Sequence, residues 1–417
     1  MLAYFFPPDA SGGVPRTVKF IKYLERLGWK CTVIAPAWGF ETLVGDGGSF
    51  GASIPSEAEI VRVGIGGSDH STLWTAMRQL PMIWRVEGRI RPLSDFPDEF
   101  AGWSREVLPV ARRILLERRH DIIYSTSPPV TSHLIAMRLK AESGIPWVAD
   151  FRDPWTDNSI SYGNPPNWRR RLDRRLERRI CSTADRVIAN TATNRATLIA
   201  KHGIAPERIL TITNGYDEED FEGVDGDPPI DRFRITYSGA FYAAYNPATF
   251  LLALKQFLAR EPGAKVVLTL AGSACDWARD NIRDPELADR LELLGQLSPR
   301  EVYRLMAASH LLMLTLPQGS PHWIPGKLFE YLRSGRQIVA VCDRPSEVAA
   351  LLERTARGHA FRTGETAELA DFLSAAYGRW RAGPTVSTSA AADDTIKAYE
   401  RAVLTARLAD AFEEIAK

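Results

Sequence analysis

Apolar residues along this chain fall into two alternating patterns. Short runs with almost no polar interruption are followed by longer stretches in which apolar residues recur every three or four positions. The short runs are 2–6, 30–35, 60–63, 120–125, 146–151, 186–191 and 208–213, then 234–239, 265–272, 290–295, 310–316, 336–341 and 359–361. Each has the length of a strand, and continuous apolar character is what a sheet covered on both faces requires. Between them lie helical patterns such as Val18, Ile21, Leu24 and Leu27. The alternation predicts an α/β chain with two Rossmann-like, doubly wound parallel sheets, whose ligands lie at the carboxyl ends of the strands. An acidic, Gly- and Pro-containing stretch, EEDFEGVDGDPPIDR (218–232), separates the two series and reads as a linker. The predicted division is an N-terminal domain of 1–222, a C-terminal domain of 232–390, and a terminal helix in 391–417 that can pack back on the first domain. Tyr399, Val403, Leu404, Leu408, Phe412 and Ile415 form the apolar side of that helix.

Composition adds mostly exclusions. A chain of 417 residues can close two cores of ordinary size. Lys and Arg number 52 against 51 for Asp and Glu, so no overall field attracts nucleic acid, which is not an expected partner. Cys31, Cys181, Cys275 and Cys342 lie far apart without a C-x-x-C, which suggests neither zinc nor a disulfide framework and fits a reducing cytosol. No basic n-region precedes LAYFF, and no apolar run reaches about 18 residues. The expectation is a cytoplasmic protein, which can still lie on a membrane.

The stretch with the densest candidate chemistry is SPHWIPGKLFEYLRSGRQIVAV, residues 320–341. Pro325 suits a first helical turn, Gly335 suits a helix stop, and Leu328, Phe329 and Leu332 supply the apolar face between them. Unpaired N–H groups at the start of such a helix, with the Lys327 ammonium beside them, can receive an anion. Glu330 is three residues further along, a rise of about 4.5 Å, where a carboxylate can accept both hydroxyls of a ribose. A Lys-x-x-Glu is also the common form of an exposed i,i+3 pair. Near the start, the loop PPDASGGVPR precedes a helix: Gly12 and Gly13 let backbone approach a ligand, and Arg16 can add charge, although this is not the G-x-G-x-x-G fingerprint. Asp225-Gly226-Asp227 mimics a D-x-D metal motif but falls in the linker, and no metal is expected.

Several blocks carry a more specific resemblance. They are PPD-x-x-GG-x-x-R, YSTSPP-x-TSHLI (Tyr124 to Ile135), WVADFRDPW (Trp147 to Trp155), NGYDEEDF, LLGQLS and PGKLFEYL-x-SG-x-x-I. In this order over nearly the whole chain they resemble bacterial glycosyltransferases of the GT-B fold, family four and its relatives in exopolysaccharide, capsule and O-antigen synthesis. The resemblance implies two domains facing a cleft, with a UDP- or GDP-sugar bound by the C-terminal one and an acceptor by the N-terminal one. It implies no cofactor and transfer with retention of anomeric configuration. Glu330 matches the second glutamate of the family's E-x7-E motif, and the first falls at His322, a departure at the position that touches the transferred sugar. Lys327, Pro325 and Gly326 match diphosphate contacts. The Arg and Lys that relatives carry after the first strand of the second domain are absent from SGAFYAAYNP, where Gly239, Tyr245 and Asn246 remain. Gln296 and Leu297 match the positions that hold the base. Asp150, Arg152 and Asp153 end a strand, and Asp153 is expected to face the acceptor hydroxyl or the donor sugar. Arg152 pairing with an aspartate to fix the loop is the plainer alternative. Candidate catalytic groups are therefore Asp153, Arg152 and His322. Rival readings are a nucleotide-sugar 2-epimerase on the same fold and a non-catalytic scaffold.

Residues 73–91, LWTAMRQLPMIWRVEGRIR, place Trp74 and Trp84 beside Arg85 and Arg89. Tryptophans among arginines suit a headgroup boundary and anionic lipid. A second stretch, NWRRRLDRRLERRI (167–180), carries seven arginines, with Leu172, Leu176 and Ile180 expected to face the core. Together they predict peripheral binding to the inner face of the cell membrane and a polyprenyl-diphosphate-linked saccharide as acceptor. A flap over the acceptor site is the alternative for the first stretch.

Overall fold

The computed structural model describes residues 1–9, 11–37, 53–65, 96–158, 162–163, 165–224, 226–241, 245, 247–383 and 390–416. The chain divides into two compact units, Met1–Thr213 with Leu404–Lys417, and Asn214–Val403.

In the first unit, β1 (Thr32–Pro36) and β2 (Glu59–Val63) pair in parallel, and β3 (Ile123–Ser127), β4 (Trp147–Phe151), β5 (Arg186–Ala189) and β6 (Ile209–Thr211) form a parallel row. Leu2 bridges both groups, pairing with Ile34 on one side and Ser125 on the other. The order is thus β2–β1–Leu2–β3–β4–β5–β6, with the first segment of the chain in the middle. The run 2–6 does not form the full strand its apolar character predicts. It bends at Tyr4 and Phe5, whose rings pack with Phe100. Side chains alternate across the sheet as a strand's period of two demands. Trp147, Ala149 and Phe151 enter one core with α2 (Trp103–Glu117), α3 (Thr131–Ser143) and α4 (Asn167–Thr183). Val148 enters the other, with α1 (Val14–Arg26) and the end of the chain. Helix α5 (Ala192–His202) follows β5.

The second unit has the same winding. Its six parallel strands are β7 (Phe233–Ser238), β8 (Val266–Ala271), β9 (Leu291–Leu293), β10 (Leu311–Thr315), β11 (Gln337–Val341) and β12 (Gly358–Phe361), ordered β12–β11–β10–β7–β8–β9. One face is covered by α6 (Ala248–Arg260), α7 (Ala274–Asn281) and α12 (Thr366–Arg381), and the short α8 (Pro285–Ala288) follows α7. The other is covered by α9 (Pro299–Ala307), α10 (Lys327–Arg333) and α11 (Glu347–Thr355). In both units the strand order reverses beside the first strand, and the carboxyl ends there open the crevice in which such sheets hold ligands.

Four local differences from the sequence expectations have physical causes. The terminal helix is broken into α13 (Ala390–Lys397) and α14 (Arg401–Ile415), because Tyr216 takes the Arg401 N–H at 2.7 Å and donates to the Tyr399 carbonyl at 3.2 Å. Leu404, Leu408 and Phe412 of α14 are buried in the first unit's core. The acidic stretch after Asp217 begins with a 3-10 turn, Glu218–Phe221, whose Phe221 is buried against Tyr303 at 4.6 Å between ring centroids. Helix α10 starts at Lys327 with Gly326 as its N-cap, so Pro325 precedes it. Leu172 is 39% exposed and Trp168 44%, while Arg169, Asp173 and Glu177 face inward. Ile180 is buried and Leu176 packs on the core as expected, so only Leu172 departs, where Arg169 and Asp173 take the inward place. Trp74, Trp84, Arg85 and Arg89 lie outside the described residues.

Candidate functional site

In the second unit the crevice lies between β7 and β10. Strand β7 ends at Gly239, whose φ of +128° is a conformation open to glycine and strained for other residues. A Cβ there would stand 2.6 Å from Lys327 Nζ. Lys327, on the first turn of α10, donates to the Ser238 carbonyl at 2.8 Å and to the Tyr237 hydroxyl at 3.2 Å, and lies 4.3 Å from the Tyr237 ring centroid. Its ammonium therefore occupies the end of β7, where SGAFYAAYNP supplies no cation of its own. Desolvation pulls this amine down to about 8, with Glu330 opposing.

Glu330 lies one turn further along α10 and is half-buried. Its carboxyl is raised, first by desolvation and then by Asp220, while Arg401, Lys327 and Tyr303 oppose the rise. Tyr303 of α9 reaches it at 3.5 Å, the outer limit of a hydrogen bond. Among the described residues no other side chain or backbone group hydrogen-bonds to the Glu330 carboxyl, which accordingly keeps accepting capacity. Pro325 is buried and Gly326 exposed immediately before the helix. Gln296 is exposed and Leu297 half-buried just past β9, at the same carboxyl edge. Backbone ties that edge together, Gly272 donating to Gly295 at 2.6 Å and Ala274 to Gly239 at 2.9 Å. His322 is half-buried in the loop between β10 and α10, next to Trp323, which meets Tyr245 edge-on at 5.7 Å.

In the first unit, Asp150 at the end of β4 receives Arg16 through Nε and Nη2, both at 2.8 Å, and the Tyr124 hydroxyl at 2.6 Å. Burial alone would raise the Asp150 carboxyl, but Arg16 holds it below the usual range. Arg16 also donates to the Ile212 and Thr213 carbonyls and is 1% exposed. It is a brace between α1, β4 and the end of β6, and the structure gives it that role in place of a free charge for an incoming anion. Arg152 packs directly on Gly13, where a Cβ would lie 1.9 Å from its Nη1, and donates to the Pro128 carbonyl at 3.1 Å. Asp153 is half-buried, 3.8 Å from Arg152 Nε. Gly13, Arg152 and Asp153 are thus brought together, and Gly12 is exposed beside them with open space around it. The partners Tyr303, Tyr237 and Tyr124 were not singled out from sequence, since each comes from an element with no spacing relation to the residue it meets.

Comparison with known proteins follows the same outline. Residues 11–215 match the family described as Glycosyl transferase 4-like domain. D-inositol 3-phosphate glycosyltransferase 1 of Catenulispora acidiphila is 35% identical over 89 residues, 20% of this chain and 21% of that protein, so the match spans about a fifth of the curated relative. Among solved structures, Anabaena Alr3699/HepE in complex with UDP-glucose is 15% identical with a TM-score of 0.66, covering 99% of this chain and 98% of the other. Sucrose-phosphate synthase from Thermosynechococcus elongatus is 12% identical with a TM-score of 0.69 over 99% and 97%. WaaG, involved in lipopolysaccharide biosynthesis, is 13% identical with a TM-score of 0.60 over 99% and 98%. At these identities the structures establish a shared fold.

Proposed function

The chain belongs among the glycosyltransferases of GT-B fold, residues 11–215 being a glycosyl transferase 4-like domain, and on that premise we propose that it moves a sugar from a UDP- or GDP-sugar to a lipid-linked saccharide. The observation that carries the donor half is the placement of Lys327 at the end of β7 with Glu330 one turn behind it. Lys327 answers the charge that grows on the departing diphosphate, and Glu330 accepts the ribose hydroxyls. Charge development on the leaving group is where a preorganised cation contributes most to the rate. Gln296 and Leu297 hold the base from the neighbouring strand end, and His322 lies toward the transferred sugar. The solved complexes of the Anabaena neighbour with UDP and UDP-glucose support a uridine donor.

The acceptor belongs to the first unit, with Asp153 directed at its hydroxyl and Arg152 fixing the loop. Transfer proceeds with retention and without a metal ion. The acceptor is a polyprenyl-diphosphate-linked saccharide of a surface polysaccharide, met at the inner face of the cell membrane. The two arginine-rich stretches support this membrane placement. The test is a panel of nucleotide sugars with nucleotide release followed with and without a lipid-linked acceptor. Release that requires the acceptor is expected. Interconversion of the donor alone would make the protein a 2-epimerase, and no turnover with any donor would make it a scaffold.

A further inference from the structure

Tyr237 lies just before the glycine that ends β7 and is fully buried. Its hydroxyl donates to the Ala240 carbonyl at 2.8 Å and so presents a lone pair to Lys327 Nζ, which donates to it at 3.2 Å. The same ring lies beneath the ammonium, 4.3 Å from centroid to Nζ, and the negative face of an aromatic ring attracts a cation placed there. Stacking holds the phenol in turn: Phe241 lies at 4.2 Å with 17° between the planes, and Trp277 of α7 meets Phe241 edge-on at 5.1 Å. Another residue docks the helix on the strand, since Tyr331, one turn beyond Lys327 on α10, accepts the Ser238 N–H at 3.3 Å. The Tyr237 hydroxyl is therefore not the group that seats α10, and what it meets on that helix is the ammonium.

The kind of partner matters as much as the place. Among the described residues Lys327 donates only to neutral oxygens, the Ser238 carbonyl at 2.8 Å and the Tyr237 hydroxyl, and no carboxylate is in ion-pair contact with it. Glu330 favours the charged amine from one turn away without touching it. An ammonium has three donors, so one N–H is left over. A lysine locked to a carboxylate would have to break that pair before taking a phosphate. One held by a carbonyl, a hydroxyl and a ring is already in place with its charge open to an incoming anion. Holding it there also removes part of the side-chain entropy that ordering a free lysine on binding would cost.

We infer that Tyr237 is a positioning residue for the transfer, holding the Lys327 ammonium at the end of β7 through its hydroxyl oxygen and its ring so that the amine is in place for the departing diphosphate. The inference rests on the assignment of the donor to α10 and adds to it a buried residue that acts through Lys327. The experiment is calorimetry of UDP and GDP binding to the full-length protein. Tyr237→Phe keeps the ring and its stacking and removes the accepting oxygen, so Kd should rise about tenfold, the lower end for a hydrogen bond to a charged group. In the Lys327→Ala background the same change should move Kd by less than about twofold, because the oxygen has no ammonium left to hold. The pH above which affinity falls should also move downward in Tyr237→Phe, since an oxygen that accepts from the ammonium favours its charged form. Tyr331→Phe removes a hydroxyl from the same strand–helix contact and should leave that pH where it is. Phe241→Leu, which loosens the ring without touching the hydroxyl, is an independent variant, and its effect on Kd should likewise vanish in Lys327→Ala. The inference is overturned if Tyr237→Phe binds nucleotide as the wild type does, or if its loss is as large in Lys327→Ala as in the wild type. A normal Tyr237→Phe beside a weakened Lys327→Ala would remove Tyr237 and keep the donor site, whereas unchanged affinity in Lys327→Ala would refute the donor site and the role of Tyr237 with it.

Discussion

Arg152 lies so close to Gly13 that a methyl group on that glycine would stand 1.9 Å from Nη1. The guanidinium is also held by the Pro128 carbonyl and flanked by Asp153, so it cannot step aside without breaking those contacts. Gly13→Ala should therefore cost on the order of 1–3 kcal/mol of stability and lower turnover with it. Gly12 has nothing within 4 Å of the equivalent point, and Gly12→Ala should stay within about 0.5 kcal/mol. Thermal melts of the pair decide the matter: equal melting temperatures would show that Arg152 has room to move.

Lys327→Ala and Glu330→Ala should each weaken UDP or GDP binding by roughly 1.5–3 kcal/mol, the range for a hydrogen bond to a charged group. In calorimetry that is about a 10- to 150-fold rise in Kd. Gly239→Ala should act in the same direction, since its Cβ would collide with the Lys327 ammonium. Unchanged affinity in both α10 variants would remove the donor site from this helix.

Acidity gives an independent view of Lys327. With its ammonium pulled down to about 8, the free protein loses this charge as pH rises through that value. A diphosphate favours the charged form, so nucleotide affinity should be level below pH 8 and fall above it. Lys327→Gln should flatten that profile. For stability the sign is reversed. The unfolded lysine keeps its proton to about 10.5 and the folded one does not, so this residue destabilises the apo protein below pH 8 and the penalty fades from about 8 to 10.5. A wild-type Kd that stays constant across that window would place Lys327 away from the bound phosphates.

Asp153→Asn should leave nucleotide affinity near normal and lower turnover, because the carboxylate is assigned to the acceptor side. Turnover at the wild-type rate would leave it a purely structural partner of Arg152. Anomeric NMR of the product should show retention; inversion would instead make Asp153 a general base.

Flotation with anionic liposomes examines membrane attachment. The wild type should float at low salt, and joint replacement of Trp74, Trp84, Arg85 and Arg89 should leave the protein at the bottom. A wild type that never floats would favour a soluble acceptor.

Most of the fold was legible because strands covered on both faces leave uninterrupted apolar runs, as at Trp147–Phe151 and Leu311–Thr315. The position of Lys327 and Glu330 was legible too, since one short helix carries both. What sequence could not give is nonlocal. The repeat in α4 finds Ile180, which is buried, and Leu176, which packs on the core, but it misplaces Leu172 and misses the buried Glu177, which meets Thr156, Lys201 and His202 from elsewhere in the chain. Arg16 reads as a free charge until Asp150, 134 residues away, is seen to enclose it. The break before α14 depends on Tyr216, nearly two hundred positions earlier.

That break has a further consequence. The chain leaves its first unit after Thr213 and re-enters it at Leu404, so the second unit is nested within the sequence of the first. The outgoing and returning leads run side by side, bridged at Tyr216 and Glu400. A truncation just before Leu404 looks like trimming the tail of the nearer unit, yet it strips Leu404, Leu408 and Phe412 from beneath Phe20, Ile21 and Tyr124. Loss of α14 should therefore surface as a defect of the unit that holds Met1–Thr213.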